Sequence, residues 1–146
     1  MSLARHILAA CVAFSILTGC SSEVQGSAGS ESTTYLNRIV PQIFNHWDVT
    51  ALYNQASAEF REASPRPAMA RFFSAARRTL GSLQHYKVGN SIEQTISSPT
   101  GTYTHTLFTV AGRFQKANAN IYIEVIKKSS RWKISGLKIE SQIFIP

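Results

Sequence analysis

Two hydrophobic periods divide the chain. Between Tyr35 and Leu80 apolar residues recur every third or fourth position, the period of a helix with one buried face. From Leu83 onward they tend to alternate with polar ones, the period of a strand. The first helical stripe, within Tyr35–Trp47, is Leu36, Ile39, Val40, Ile43 and Trp47. Pro41 falls inside it, lacks an amide donor, and is expected to kink the helix or divide it near Val40. Asp48 stands directly before a second stripe, Val49, Leu52, Tyr53, Ala56 and Phe60, where a carboxylate caps the free amides of a helix start. A third helix is expected to start at Pro67 and to run through Met69, Phe72, Phe73, Ala76 and Leu80, with Gly81 closing it in a left-handed conformation. Arg71, Arg77 and Arg78 lie off that stripe and read as a solvated face.

Leu83–Ser97 reads as one long strand, or as two broken at Gly89-Asn90, a bulge or turn signal. Ser98-Pro99-Thr100-Gly101 is a turn by composition. Three strands follow: Tyr103–Gln115, Asn120–Lys128 and Trp132–Phe144. In the first, Thr104, Thr106, Phe108, Val110 and Phe114 share one face; Tyr103, His105, Leu107, Thr109 and Arg113 share the other. In the last, Trp132 and Ile134 have one parity, and Leu137, Ile139, Ser141 and Ile143 the other. A bulge at Gly136 returns all six to one face and bends the strand, with Trp132 in the core. The expected fold class is α+β. N-terminal helices pack on a strongly curved, cone-like antiparallel sheet, in a single domain over residues 35–146.

The N-terminus follows neither period. Arg5, with His6, is followed by an apolar run from Ile7 to Leu17. At about 11 residues it is too short for a bilayer, which needs about 20. This is the layout of an export signal. It ends in Leu17-Thr18-Gly19-Cys20, which resembles the bacterial lipobox at all four positions. That resemblance implies cleavage after residue 19, diacylglycerol on the Cys20 thiol and acylation of the new amine. Two or three acyl chains hold a protein on a membrane durably, whereas one holds it marginally. Ser21 and Ser22, where Gram-negative lipoproteins retained at the inner membrane often carry Asp, imply transport to the outer membrane, facing the periplasm. Residues 20–34 then form the lipidated Cys and a flexible tether of Ser, Gly, Thr and Glu, spanning roughly 20 Å on average.

Composition adds a few limits. The chain has 146 residues, 44% hydrophobic and 16% charged, with a net charge of +7. That is a globular composition with one core. Moderate basicity outside the cytoplasm reads first as a solvated basic surface, and as a partner it suggests anionic envelope surfaces before nucleic acid. Of the two cysteines, Cys11 lies in the signal, so Cys20 has no partner for an internal disulfide.

The order of elements and the segment Ile121–Ile139 (IYIEVIKKSSRWKISGLKI) resemble the nuclear-transport-factor-2-like, or cystatin-like, α+β cone, a fold that also occurs in small bacterial lipoproteins. In that superfold function does not follow from fold, since isomerases, dehydratases, hydrolases and binding modules share it. Steroid-isomerase-like members pair a pocket carboxylate with a Tyr. The carboxylates here are Asp48, Glu59, Glu62, Glu93, Glu124 and Glu140, and none sits in a recognisable motif. The nearest constellation is Tyr122 and Glu124 on one strand face with His105, and Tyr103 beside it, on a neighbouring strand. These four are the candidate ligand-binding residues. No catalytic residue is assigned. His46, His85 and His105 do not have the spacing of a metal site, and no cofactor motif is present. Three function classes follow. The first choice is a tethered, non-catalytic protein-interaction or accessory module of an envelope complex, immunity-type inhibitors included. The second is a module holding a small apolar molecule or lipid in the cone. The last is an isomerase- or hydrolase-type enzyme.

Overall fold

The computed structural model of the chain describes residues 22–25, by backbone alone, and 29–144, the last again by backbone. The export signal, the lipobox and Cys20 lie outside the described residues. The elements run β1 (Ser22–Gln25), α1 (Ser30–Phe44), α2 (Val49–Gln55), α3 (Ala58–Ala63), α4 (Arg66–Leu80), β2 (Leu83–Ser98), β3 (Gly101–Phe114), β4 (Asn118–Lys128) and β5 (Arg131–Glu140). The strands form one antiparallel sheet in sequence order, β1-β2-β3-β4-β5. The fold is α+β.

α1 starts five residues earlier than the apolar stripe predicts, so Ser30–Thr34 belongs to a helix rather than to a tether. Its start is held from outside. Glu93 on β2 accepts from the Gly29 backbone N–H at 3.0 Å and from the Ser32 hydroxyl at 3.1 Å. A second departure from the tether reading is Ser22–Gln25, whose backbone pairs with residues 93–96 of β2. α1 also runs unbroken past Pro41. The carbonyl that Pro41 cannot bond belongs to Asn37, and it accepts from the Tyr86 hydroxyl at 3.3 Å instead. Tyr35, Leu36, Ile39, Val40, Ile43 and Phe44 are buried along one face.

The helix ends at Phe44, and Trp47 takes a positive φ of 54° in the turn that follows. Asp48 caps α2 as its position implies, accepting from Thr50 N–H at 2.8 Å and Ala51 N–H at 3.0 Å. The second stripe is not one helix. It breaks at Ala56-Ser57, because the chain there docks on the edge of β5. Ala56 bridges to Ile134, and the Ser57 N–H donates to the Ile134 carbonyl at 2.8 Å. The Ser57 hydroxyl then caps α3 by accepting from Phe60 N–H. α4 buries Phe73, Ala76 and Leu80, whereas Phe72 is exposed, so its stripe is narrower than the sequence predicts. Gly81 closes it with φ 77°.

β2 is a single strand with register shifts against β3 between Leu83 and His85 and between Val88 and Ser91, the latter at Gly89-Asn90. A third shift falls between Glu124 and Val125, opposite Ser135, and makes the bulge beside Gly136. Ile134, Leu137 and Ile139 thereby all reach the helix side. β5 stops at Glu140, because its last pair is Asn120–Glu140, near the start of β4. Ile143 therefore lies in a short 3-10 turn, half exposed, and not on the core face.

The core fills the space between helices and sheet. Its centre is an aromatic group of Phe44, Trp47, Phe73 and Phe114, with Trp47 edge-on to the first two companions and stacked on Phe114 at 5.3 Å. Trp47 is 5% exposed and donates from Nε1 to the Gly81 carbonyl at 2.7 Å. The core tryptophan is thus Trp47. Trp132, expected in that role, is half-buried at the rim, stacked on Tyr35 at 6.4 Å beneath the Lys127 ammonium.

Candidate functional site

Cross-strand pairing decides which side chains share a face. Phe108 pairs with Ile123 and Val110 with Ile121, and all four are buried against the helices. The alternate residues project from the other face. His105 pairs with Ile126, Leu107 with Glu124 and with Ile92, Thr109 with Tyr122, and Ile96 with Tyr103. Tyr103, His105, Tyr122 and Glu124 therefore share one face, and it is the face away from the main helical layer. None of them looks into the space between helices and sheet, which Leu36, Ile39, Ile43, Leu52 and Phe108 fill. The expectation of a cone interior lined by these four side chains is replaced by an open surface.

α3 rounds the edge of β5 and covers one corner of this face, where Ile126 is 5% exposed. Beside that corner His105 and Glu124 meet, Nδ1 to Oε1, at 2.8 Å. Gly136 makes room for the carboxylate: a Cβ there would stand 2.9 Å from Glu124 Oε2 and 3.1 Å from its Cβ. The Tyr103 ring lies edge-on to His105 at 5.6 Å. Tyr122 lies under the Lys138 ammonium, which pairs with Glu140. That pairing holds the Glu140 carboxyl below its ordinary range and raises the Lys138 amine. Two apolar side chains lie among these polar ones, Leu107 at 41% and Ile92 at 56% exposure.

A groove of about 310 Å³ runs between Leu107, Tyr122, Glu124, Gly136, Leu137 and Lys138. It is shallow and open. The carboxylate fixes the imidazole ring of His105, an arrangement that can bind a donor or relay a proton. Both side chains are in water, however, at 29% and 41% exposure. Water screens their charge and competes for their hydrogen bonds. Among the described residues no three His, Cys, Asp or Glu side chains gather as metal ligands. His46 lies in the turn after α1, and His85 pairs with Arg113 on the outer part of β2 and β3.

Sequence reasoning placed Leu107 on this face but did not reach Ile92, whose phase depends on the bulge at Gly89-Asn90. It also treated Glu93 as one more unassigned carboxylate. Glu93 turns inward, where Ser32 and Thr106 donate to it. No family model, no curated protein and no solved structure matches this chain. The fold and surface define an α+β protein with a packed helix–sheet core and an open, tyrosine-bearing sheet face.

Proposed function

We propose that this chain is a lipid-anchored module of the bacterial envelope that works by binding another protein. Cys20 carries the lipid, and the domain faces the periplasm from the outer membrane. The chain acts as an accessory subunit or an inhibitor rather than as a catalyst. The domain is a cone-like member of the superfold named above, with Cys20 two residues ahead of β1 rather than at the end of a long tether. One observation carries the interaction reading: Ile92 and Leu107 stand exposed as a cross-strand pair on the face that also carries Tyr103, His105 and Tyr122. Exposed apolar side chains on a tyrosine-bearing face suit an interface, where aromatic residues are enriched. The shallow groove on the same face favours a second reading, a small apolar ligand. Its volume lies at the low end for such sites.

The test is crosslinking in native membranes with a photoreactive side chain at Leu107, and with the same group at Phe72 on α4 as a control. A single protein adduct from Leu107 and none from Phe72 is the expected result. Identical adducts from both positions, or none from Leu107, would sink the interaction reading. Cys20→Ser is expected to release the protein from membranes washed in high salt.

A further inference from the structure

The register of β1 sets the end of the sheet at which the chain arrives. Ser22 pairs with Ile96 and Gln25 with Glu93, antiparallel. β1 therefore begins at the end of the sheet that carries the β2–β3 turn, level with Ile96 and next to Ser97 and Ser98. Thr104 pairs with Lys127, so the β4–β5 turn at Ser129-Ser130 lies at that same end. Cys20 precedes β1 by two residues, at most about 7 Å of chain.

This end is basic. Two open grooves flank the β4–β5 hairpin. One, about 580 Å³, is lined by Glu31, Tyr35, Arg38, Lys127 and Trp132 among others. The other, about 360 Å³, includes Glu59, Arg61, Lys128, Arg131 and Lys133. Together they gather six basic side chains against two acidic ones. Lys127 pairs with Glu31 of α1, and Lys128 with Glu59 of α3 at 2.6 Å, exposed pairs that leave each ammonium further donors. Arg131 is exposed at the turn, and the half-buried Trp132 ring follows it.

We propose that this hairpin faces the bilayer and docks on anionic lipid headgroups, with Lys128 and Arg131 meeting their phosphate or carboxylate oxygens. The inference rests on the lipid anchor at Cys20. An anchor just before β1, three strands or about 14 Å across the sheet from β4, turns this end of the sheet toward the surface, where headgroup charge acts on cations that come within a Debye length of about 8 Å. Docking would hold the sheet upright on the membrane and leave the Leu107 face turned sideways, open to a partner.

The test uses the full chain purified from membranes and reconstituted in vesicles of phosphatidylcholine, with or without about a third phosphatidylglycerol. Flotation in about 1 M salt reads the anchor, because ionic attraction is screened there. Acylation of lysines by a water-soluble reagent, read by peptide mass spectrometry, reads the docking. Lys116, at the opposite end of the sheet in the β3–β4 turn, is the internal control. Lys128 is expected to react about fivefold more slowly on anionic than on neutral vesicles, an effect lost in high salt, while Lys116 does not change. Equal reactivity of Lys128 on both vesicles, in protein that still floats, overturns the docking and leaves the anchor intact. If Cys20→Ser floats as well as the native chain in high salt, the anchor reading fails instead. The docking then stands or falls on low-salt binding to the anionic vesicles, which Lys128→Ala/Arg131→Ala should weaken roughly twentyfold. Unchanged binding overturns it.

Discussion

The Glu93 carboxylate accepts from the backbone N–H of Gly29, at 3.0 Å across 64 residues of sequence, and so caps a helix from another element. The same Oε2 accepts from Ser32 and from Thr106, both fully buried hydroxyls. Helix α1 has no cap from its own N-terminal side chain, so the charge on β2 meets the positive helix end. Glu93→Ala removes the acceptor for three donors and should cost about 1–3 kcal/mol, a drop of several degrees in thermal midpoint. Glu93→Gln keeps one acceptor oxygen and should lose less. Equal midpoints for native and Glu93→Ala protein would show that the first turn of α1 holds without β2.

Trp47 and Gly81 form a second long-range lock. A Cβ at Gly81 would stand 2.7 Å from Gln115 Cβ, and its φ of 77° disfavours any side chain. Gly81→Ala should therefore destabilise by about 1–3 kcal/mol. Trp47→Phe keeps much of the ring packing but leaves the Gly81 carbonyl without its donor, and should cost a similar amount. Trp47→Ala should cost about 3–5 kcal/mol, as expected for a core aromatic. Trp132→Ala, at the rim, should cost less than half of that. Urea unfolding of the four variants decides it, and a larger loss at Trp132 than at Trp47 would invert the assignment of the core tryptophan.

Stability should fall at both ends of the pH scale for separate reasons. Burial pushes the Tyr35 phenol from 10 up to about 12. Its contribution is complete below pH 10 and is lost as pH rises through 12. The hydrogen bond from Lys128 lowers the Glu59 carboxyl from 4.5 to about 2. That contribution is complete above pH 4.5 and is lost as pH falls through 2. Tyr35→Phe should flatten the alkaline limb between pH 10 and 12 and leave the acid limb alone. Glu59→Gln should leave the alkaline limb alone and change the acid limb only slightly, because both partners of that pair are exposed and screened by water. Circular dichroism against pH, at a fixed urea concentration, separates the two. A Tyr35→Phe chain with an unchanged alkaline limb would remove Tyr35 from the account.

What was legible in the sequence was whatever local chemistry fixes. Asp48 before an apolar period, Gly81 after one, Gly89-Asn90 as a bulge or turn signal, and Gly136 where strand parity fails each announced a cap, a turn or a bulge, because each acts on its own neighbours. What was not legible depends on partners far along the chain. Pro41 does not break α1 because Tyr86 supplies the missing donor. The second stripe breaks because Ser57 finds the Ile134 carbonyl. Glu93 looked like any other carboxylate until Ser32 and Thr106 closed around it. The alternation put Tyr103 with His105, and Tyr122 with Glu124, on shared faces, and the register joined the two pairs. Which of the two sheet faces the helices would cover was set by Phe108, Ile121 and Ile123, and it left those four outside.

On that outer face His105 and Glu124 make one contact, and stability and binding should respond to it differently. An exposed pair of this kind adds little to folding, so His105→Ala and Glu124→Ala should each change stability by less than about 1 kcal/mol. Their coupling in a double-mutant cycle should be as small. If the face binds a partner, the same substitutions should weaken that binding, since the fixed imidazole is then desolvated at the contact. Gly136→Ala tests the geometry without removing either group. The new methyl meets both Glu124 Cβ and Oε2 and displaces the carboxylate from His105. Partner capture through Leu107 should fall in Gly136→Ala and in Glu124→Ala alike, with the fold intact by circular dichroism. Full capture in both variants would mean that the partner uses Leu107 and Ile92 alone, and that the His105–Glu124 contact is only a surface pair.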